Sequence, residues 1–131
     1  MTAPRILVVD DDAGVRDVLR STLALDGHDV LAAASGMEGL VRAQSEGPDL
    51  VLLDVMMPGM DGWEVLKLLK LDAATRQIPV VILSVRAEPR DRIRALQEGA
   101  VDYVAKPFAV EELLASLAVA LRRAEPGAGG G

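Results

Sequence analysis

Five short, strongly apolar runs alternate along the chain with five longer segments whose apolar residues recur at helical spacing. The runs contain many β-branched residues and little polar alternation, which is typical of strands buried on both faces of a parallel sheet. The predicted strands are RILVVD (5–10), DVLAAA (29–34), LVLLD (50–54), PVVILS (79–84) and VDYVA (101–105). The predicted helices lie in AGVRDVLRSTLALDG (13–27), GMEGLVRAQSEGPD (36–49), WEVLKLLKLD (63–72), RDRIRALQEGA (90–100) and VEELLASLAVALRR (110–123). Asp26-Gly27 is a stop signal for the first of them, and Gly47-Pro48 ends the second.

This alternation predicts an α/β fold with a parallel sheet covered by helices on both faces and right-handed crossovers between strands. For five strands we adopt the order 2-1-3-4-5 of flavodoxin-like three-layer sandwiches; the sequence itself does not derive that order. A length of 131 residues suits one domain. We assign residues 1–124 to this domain and 125–131 to a flexible Gly-rich tail or the start of a linker.

Composition excludes several classes of function. The formal net charge of -6 argues against nucleic-acid binding by this chain, and the lack of cysteine excludes thiolate nucleophiles and zinc–thiolate sites. The sequence has neither a membrane-length apolar run nor a visible signal peptide, so a cytoplasmic protein is expected, without membrane attachment. The single histidine, His28, lies in the turn-like LDGHDV and is predicted to be an exposed turn residue, which argues against a Ser-His-Asp site and a helical phosphotransfer histidine.

Polar residues that could bind a ligand or take part in a reaction stand where the predicted strands end. Strand one ends in Asp10-Asp11-Asp12, strand three in Asp54, strand four in Ser84, and strand five is followed by Lys106. The carboxyl ends of parallel strands share one edge of the sheet, where such folds place their functional groups. We therefore expect these side chains to form a single cluster.

The cluster has the chemistry of a phosphoryl site. Neighbouring carboxylates repel one another unless a cation neutralises them, and an all-oxygen ligand set suits Mg²⁺ or Mn²⁺. A cation, the Lys106 ammonium and the Ser84 hydroxyl could share the oxygens of a phosphoryl group. The attacking group would be a carboxylate, giving an acyl phosphate.

Two of the acids have simpler explanations. Asp12 is equally well explained as the N-cap of the first helix. Asp61, followed three residues later by Glu64, indicates a capping box at the start of the third helix rather than a catalytic acid.

Four segments in order, VVDDD, LLDVMMPGMDG, VVILS and GAVDYVAKPF, resemble the receiver domain of bacterial two-component response regulators. The resemblance extends from about Pro4 to Arg123. It implies a signalling protein that takes a phosphoryl group from the phosphohistidine of a sensor histidine kinase or phosphotransfer protein and then changes conformation to control a partner or output domain. Such a domain is not an enzyme in the usual sense, because it catalyses only its own phosphorylation and dephosphorylation.

The resemblance also implies roles for individual residues. Asp54 matches the phospho-acceptor. Asp10, Asp11, Asp54 and the backbone carbonyl of Met56 match the metal ligands. The phosphate-binding and switch positions correspond to Ser84, Val85, Tyr103 and Lys106, and the Lys106–Pro107 peptide bond is expected to be cis.

Departures from the family pattern suggest a specific kinetic property. Val85 is larger than the small residue usual after the switch hydroxyl, and could hinder the phosphodonor or Tyr103. The side chains of Met56 and Arg86 flank the phosphate position. We hypothesise that they shield the phosphoryl-aspartate from water and give it a long lifetime.

Two other functions account for parts of the sequence. A haloacid-dehalogenase-like phosphohydrolase would use Asp10 as nucleophile and Asp12 as acid, but Gly14 stands where Thr or Val is expected and no acidic pair follows Lys106. A receiver-like docking module without phosphorylation would not need the complete set of acids. A homodimer through helix four, strand five and helix five is a further candidate, although Ser116 and Ala118 stand where one DNA-binding subfamily often has arginine.

Overall fold

The computed structural model describes residues 3–86 and 88–124, and the predicted tail at 125–131 lies outside them. Strands and helices alternate over this range as the sequence predicts. The strands are β1 (Arg5–Val9), β2 (Asp29–Ala33), β3 (Leu50–Leu53), β4 (Val80–Ser84) and β5 (Asp102–Ala105). The helices are α1 (Ala13–Leu25), α2 (Gly36–Glu46), α3 (Gly62–Leu71), α4 (Pro89–Gln97) and α5 (Val110–Ala124).

The strands form one parallel sheet in the order β2-β1-β3-β4-β5, which confirms the expected topology and the three-layer architecture. Val9 is in register with Leu53 across the β1–β3 pair, so the residues that follow them, Asp10 and Asp54, leave the sheet side by side. The strand order thus places the ends of β1 and β3 at the centre of the sheet edge.

Alternate residues of the central strands point into two separate apolar cores. Leu7, Val9, Val51 and Leu53 face the core shared with α2 and α3, whereas Ile6, Val8, Leu50 and Leu52 face the core shared with α1 and α5. All eight are almost completely buried. Burial on both faces explains why these strands lack polar alternation in the sequence.

Side chains at the helix starts fix where the helices begin. The Asp12 carboxylate accepts hydrogen bonds from the N–H groups of Gly14 and Val15, and Asp61 accepts one from Glu64, so both acids act as N-caps. At the other end of α2, Gly47 adopts a left-handed conformation with φ of 54°, which stops the helix where the Gly-Pro pair predicts. None of the helices within the described ranges combines the length and apolar character needed to cross a membrane.

Two details differ from the sequence-based expectation. Helix α4 ends at Gln97, three residues early, because Gly99 turns the chain with φ of 106°. His28 does lie in the turn before β2, but the prediction that it is exposed is wrong: its side chain is only 10% exposed and its Nε2 lies 3.1 Å from Asp26 Oδ2.

Helices α3 and α4 are joined by a stacking contact. The guanidinium of Arg94 lies 4.0 Å from the centre of the Trp63 ring, and its Nε is 2.6 Å from Glu98 Oε2. The geometry is that of a cation–π contact at the protein surface.

Candidate functional site

Side chains from three strand ends meet at the carboxyl edge of the sheet. Lys106 Nζ lies 2.7 Å from Asp10 Oδ2 and 3.2 Å from Asp54 Oδ2, so one ammonium bridges the acids that follow β1 and β3. Both carboxylates are buried, with residue exposures of 2% for Asp10 and 5% for Asp54. The structure therefore brings together the acids and the lysine that the strand ends predict.

Each oxygen of the Asp54 carboxylate has its own partner. Oδ1 accepts a hydrogen bond from the Met56 N–H at 2.8 Å, and Oδ2 faces Lys106. Burial raises the pKa of the Asp54 carboxyl, while the Met56 N–H and the Lys106 charge act against this and the nearby Asp10 charge adds to it. The lysine and the amide together hold Asp54 with a fixed orientation.

Lys106 experiences opposing influences from its surroundings. Burial alone lowers the pKa of its ammonium, but the hydrogen bond to Asp10 and the charges of Asp54 and Asp10 outweigh burial and raise it. The lysine is therefore kept charged between the two acids, where it compensates part of their mutual repulsion.

The acids also fit a divalent metal ion. Asp10, Asp11 and Asp54 each offer a carboxylate oxygen, and these oxygens lie within 4.8 Å of one another. Asp11 is exposed, which leaves its side of the cluster open to solvent. Hard oxygen ligands with an open side suit an ion such as Mg²⁺ that retains bound water. The role of the Met56 carbonyl in this ligand set stays a prediction.

The loop after β3 is held tightly against α3. Gly62 donates its N–H to the carbonyl of Val55 at 3.2 Å. A Cβ atom at Gly62 would lie 2.2 Å from Val55 Cα and 2.4 Å from the carbonyl oxygen of Asp54, so only glycine fits here. The first residue of α3 thus supports the backbone of Asp54 itself.

Ser84, Arg86 and Tyr103 are connected through one peptide segment. The Arg86 N–H donates to Ser84 Oγ at 3.3 Å, and the Tyr103 hydroxyl donates to the carbonyl of Arg86. Ser84 and Tyr103 are buried, whereas Val85, which lies between Ser84 and Arg86 in the chain, is 64% exposed. Ser84 lies beside the cluster, since its carbonyl accepts the Lys106 N–H at 2.8 Å.

Two residues near the acids have roles that bear on the sequence predictions. Asp12 is the N-cap of α1, so its carboxylate is used within the helix. Arg16 was not identified from the sequence, yet its Nη1 donates to the Asp10 carbonyl at 2.8 Å. Its position one helical turn after Asp12 could have indicated that it lies near the acids.

The Lys106–Pro107 peptide bond, which follows β5, is cis.

An open, mainly apolar cavity adjoins the cluster on the side of α1. Its volume is about 570 Å³, and it reaches Lys106. Apolar side chains from the start of α1 and from the segment after β5 line it: Val15, Val18, Pro107 and Phe108. The cluster is therefore bordered by a concave surface large enough to contact another molecule.

Comparison with known proteins agrees with this geometry. The sequence matches the response regulator receiver domain family over residues 6–118. It is 46% identical to the response regulator MprA of Mycolicibacterium vanbaalenii over 127 residues, covering 97% of this chain and 54% of that protein. It is 41% identical over 122 residues to the DNA-binding dual master transcriptional regulator RpaA of Synechocystis sp., covering 93% of this chain and 51% of that protein. The chain thus spans about half the length of the curated relatives it matches.

Solved structures show the same fold. The receiver domain of a Francisella response regulator superposes with a TM-score of 0.86 at 31% identity, covering 93% of this chain and 99% of that one. The Vibrio cholerae chemotaxis protein CheY4 superposes with a TM-score of 0.85 at 31% identity, covering 91% and 99% of the two chains. With its parallel sheet, its acids at the carboxyl edge and these relatives, the chain belongs to the response regulator receiver domain family of two-component systems.

Proposed function

We propose that this receiver domain accepts a phosphoryl group on Asp54 from the phosphohistidine of a sensor histidine kinase or a phosphotransfer protein in the cytoplasm. The main support is the position of the Asp54 carboxylate and the groups that surround it. It stands at a strand end, fixed by Met56 and Lys106, and carboxylate oxygens of two further acids lie close enough to it to bind one metal ion together with it.

The proposed step forms one bond and breaks another. An oxygen of Asp54 attacks phosphorus while the phosphorus–nitrogen bond of the donor breaks, and its electron pair returns to the imidazole. Lys106 binds a phosphoryl oxygen and Ser84 donates its hydroxyl to another. Asp10, Asp11, Asp54 and the Met56 carbonyl would hold a Mg²⁺ or Mn²⁺ ion, which would supply the charge neutralisation that such a transfer needs.

The hydrogen bonds of Arg86 suggest how phosphorylation of Asp54 would change the structure around Tyr103. In this structure Ser84 Oγ accepts from the Arg86 N–H, while Tyr103 donates to the Arg86 carbonyl. If Ser84 turns to the phosphoryl group, the Arg86 amide loses its acceptor and the peptide segment that holds Tyr103 rearranges. The charge of one phosphoryl group on Asp54 would then change the preferred conformation of the segment after β4 and of the neighbouring strand β5.

The partner surfaces follow from the same layout. The cavity lined by Val15, Val18, Pro107 and Phe108 is a suitable contact for the phosphodonor, because it borders the acceptor cluster. The face of α4, β5 and α5 is a candidate for self-association. On that face Asp102 already accepts a hydrogen bond of 2.6 Å from Ser116, so a dimer there would have to form around or replace an internal contact.

The lifetime of the phosphoryl group is proposed to be long. Met56 immediately follows the acceptor strand and is 46% exposed, so its side chain is available to cover the phosphate position. Arg86 is exposed at the end of β4. Val85, also exposed, would narrow the approach to the phosphoryl group without filling the buried site.

A dehalogenase-like phosphohydrolase with Asp10 as nucleophile is the weaker candidate. Contacts alone do not separate the two acids, because Asp10 Oδ1 accepts the Asp12 N–H at 2.9 Å and Asp10 Oδ2 is bound to Lys106, as Asp54 is bound by Met56 and Lys106. The acid that such a mechanism requires, Asp12, caps α1. Membership of the receiver family and the use of Asp12 as a helix cap favour Asp54 as the acceptor.

The experiment that tests the proposal uses a small phosphodonor, acetyl phosphate, with Mg²⁺. Intact mass spectrometry should show the addition of one phosphoryl group, and trapping of the acyl phosphate followed by peptide mapping should locate it on Asp54. Asp54→Asn should abolish the addition, whereas Asp17→Asn on the exposed face of α1 should not. Label on Asp10 would favour the hydrolase. Absence of any label, together with no beryllofluoride-induced change around Tyr103, would favour a docking module.

A further inference from the structure

Among Asp10, Asp11 and Asp54, Asp11 has the side chain with the fewest contacts to hold it in place. Its residue is exposed, and among the described residues no hydrogen bond fixes its carboxylate. The direction of this carboxylate therefore depends on how firmly the backbone that carries it is held.

Both peptide groups that flank Asp11 are in fact held by side chains. The carbonyl before it, that of Asp10, accepts a hydrogen bond of 2.8 Å from Arg16 Nη1. The N–H after it, that of Asp12, donates to Asp10 Oδ1 at 2.9 Å. The peptide planes on either side of the Asp11 Cα are therefore fixed, and with them the direction in which its Cβ leaves the backbone.

The two contacts differ in what anchors them. Asp10 is itself a member of the cluster and is already bound to Lys106. Arg16 comes from α1, where its backbone N–H bonds to the Asp12 carbonyl at 3.0 Å, and its side chain is half-buried. The helix thus provides a rigid base from which one guanidinium reaches back to the acid turn.

We propose that Arg16 is a positioning residue for the metal site: it fixes the Asp10–Asp11 peptide and so orients Asp11 toward the ion. This inference rests on the metal-dependent function proposed above. Residues that orient metal ligands through hydrogen bonds typically affect metal affinity strongly when replaced. Arg16 would do so through the main chain, without touching the ion.

The charge of Arg16 makes the proposal sharply testable, because two explanations predict opposite signs. A positive charge close to a cation site repels the cation, so removing it by electrostatics alone should strengthen metal binding. If Arg16 orients Asp11, removing it should weaken metal binding in spite of the favourable change in charge.

The test compares Arg16→Gln with Arg20→Gln, which removes the same charge one turn further along α1 at an exposed position. Affinity for Mn²⁺ is measured directly by the electron paramagnetic resonance signal of the free ion, without any phosphorylation. We expect Arg16→Gln to weaken Mn²⁺ binding about tenfold. Arg20→Gln should leave it unchanged or slightly tighter. Urea unfolding without metal identifies any general loss of stability.

Arg16→Lys provides a second variant that keeps the charge but replaces the planar guanidinium by an ammonium on a shorter side chain. Weaker Mn²⁺ binding by this variant supports positioning, since charge is retained. Equal or tighter binding in Arg16→Gln overturns the inference, whatever Arg16→Lys shows, while leaving the proposed function intact. If the wild-type protein itself binds no Mn²⁺, the metal-dependent function fails and the role of Arg16 fails with it.

Discussion

The ammonium of Lys106 lies 2.7 Å from the carboxylate of Asp10, although 96 positions separate the two residues in the chain. Their strands are not neighbours, because β3 and β4 lie between β1 and β5. The lysine therefore extends along the sheet edge, past the end of β3, and meets Asp54 on the way. This ion pair ties the end of an edge strand, β5, to the centre of the sheet.

Loss of this lysine should be costly in the absence of metal. Lys106→Met leaves two buried carboxylates without their cation, and removing one partner of a buried ion pair typically costs about 3 kcal/mol. Urea unfolding in EDTA should show this loss, and added Mg²⁺ should restore part of it and bind more tightly than in wild type. Lys67→Met, an exposed position on α3, is the control. Equal stability of Lys106→Met and wild type in EDTA would contradict the proposed compensation.

Gly62 should not tolerate a side chain. In Gly62→Ala the new Cβ meets the backbone of Val55 at 2.2 Å and of Asp54 at 2.4 Å, so the loop after β3 must move. We expect about 2–3 kcal/mol of destabilisation by urea unfolding and slower labelling of Asp54 by acetyl phosphate. Gly14→Ala is the matched control, because its Cβ would meet only the Asp12 carboxylate, at 3.2 Å. Wild-type behaviour of Gly62→Ala would show that the loop is not held by this contact.

Tyr103 should titrate above the usual tyrosine range. Burial raises the pKa of its phenol, and the charge of Asp91 adds to this, although the nearby Ser84 hydroxyl and two arginine charges act in the opposite direction. It is the only tyrosine in the chain, so tyrosinate absorbance at 295 nm reports this residue alone. The midpoint in folded protein should lie above about 10, the ordinary value, and return to it in urea.

The sign of the effect on stability follows from the raised pKa. The folded state keeps the phenol proton at a pH where the unfolded state has lost it, so this contribution to stability is present below about pH 10 and is lost as pH rises through the folded pKa. Tyr103→Phe should remove that part of the alkaline decline. A folded midpoint at or below the midpoint in urea would contradict the prediction.

Replacement of Met56 should shorten the lifetime of the phosphoryl group. Met56→Asn exchanges an apolar side chain beside Asp54 for one that can bind and orient water, so hydrolysis should become several-fold faster. Loss of label after removal of acetyl phosphate, followed on phosphate-affinity gels, measures the rate. Met37→Asn, an exposed methionine on α2, is the control. A fast wild-type rate that Met56→Asn leaves unchanged would refute the shielding role.

The elements of the fold are readable from the sequence because the strands are buried on both faces. Val8 and Leu52 can be apolar next to Val9 and Leu53 only if each side of the sheet has its own core. The order of the strands cannot be predicted from the apolar residues of each strand, since it depends on which crossovers pack together. It had to be adopted from known folds of the same type.

The candidate site, too, could be predicted from the sequence only in part. Asp10, Asp54 and Lys106 could be placed together because each follows a strand, and parallel strands end at a common edge. The hydrogen bond from Arg16 to the Asp10 carbonyl could not, because it depends on how a long side chain folds back from a helix. The burial of His28 was missed for a related reason: packing of a turn against its neighbours leaves no periodic signal in the sequence.

The stacking of Arg94 on Trp63 gives the molecule a built-in optical reporter. Trp63 is the only tryptophan, it belongs to α3, and the guanidinium that covers it belongs to α4. A shift of α4 against α3 would uncover the indole and change its emission. Helix motion in the unmodified protein can therefore be followed by intrinsic fluorescence, with no label attached to any surface involved in signalling.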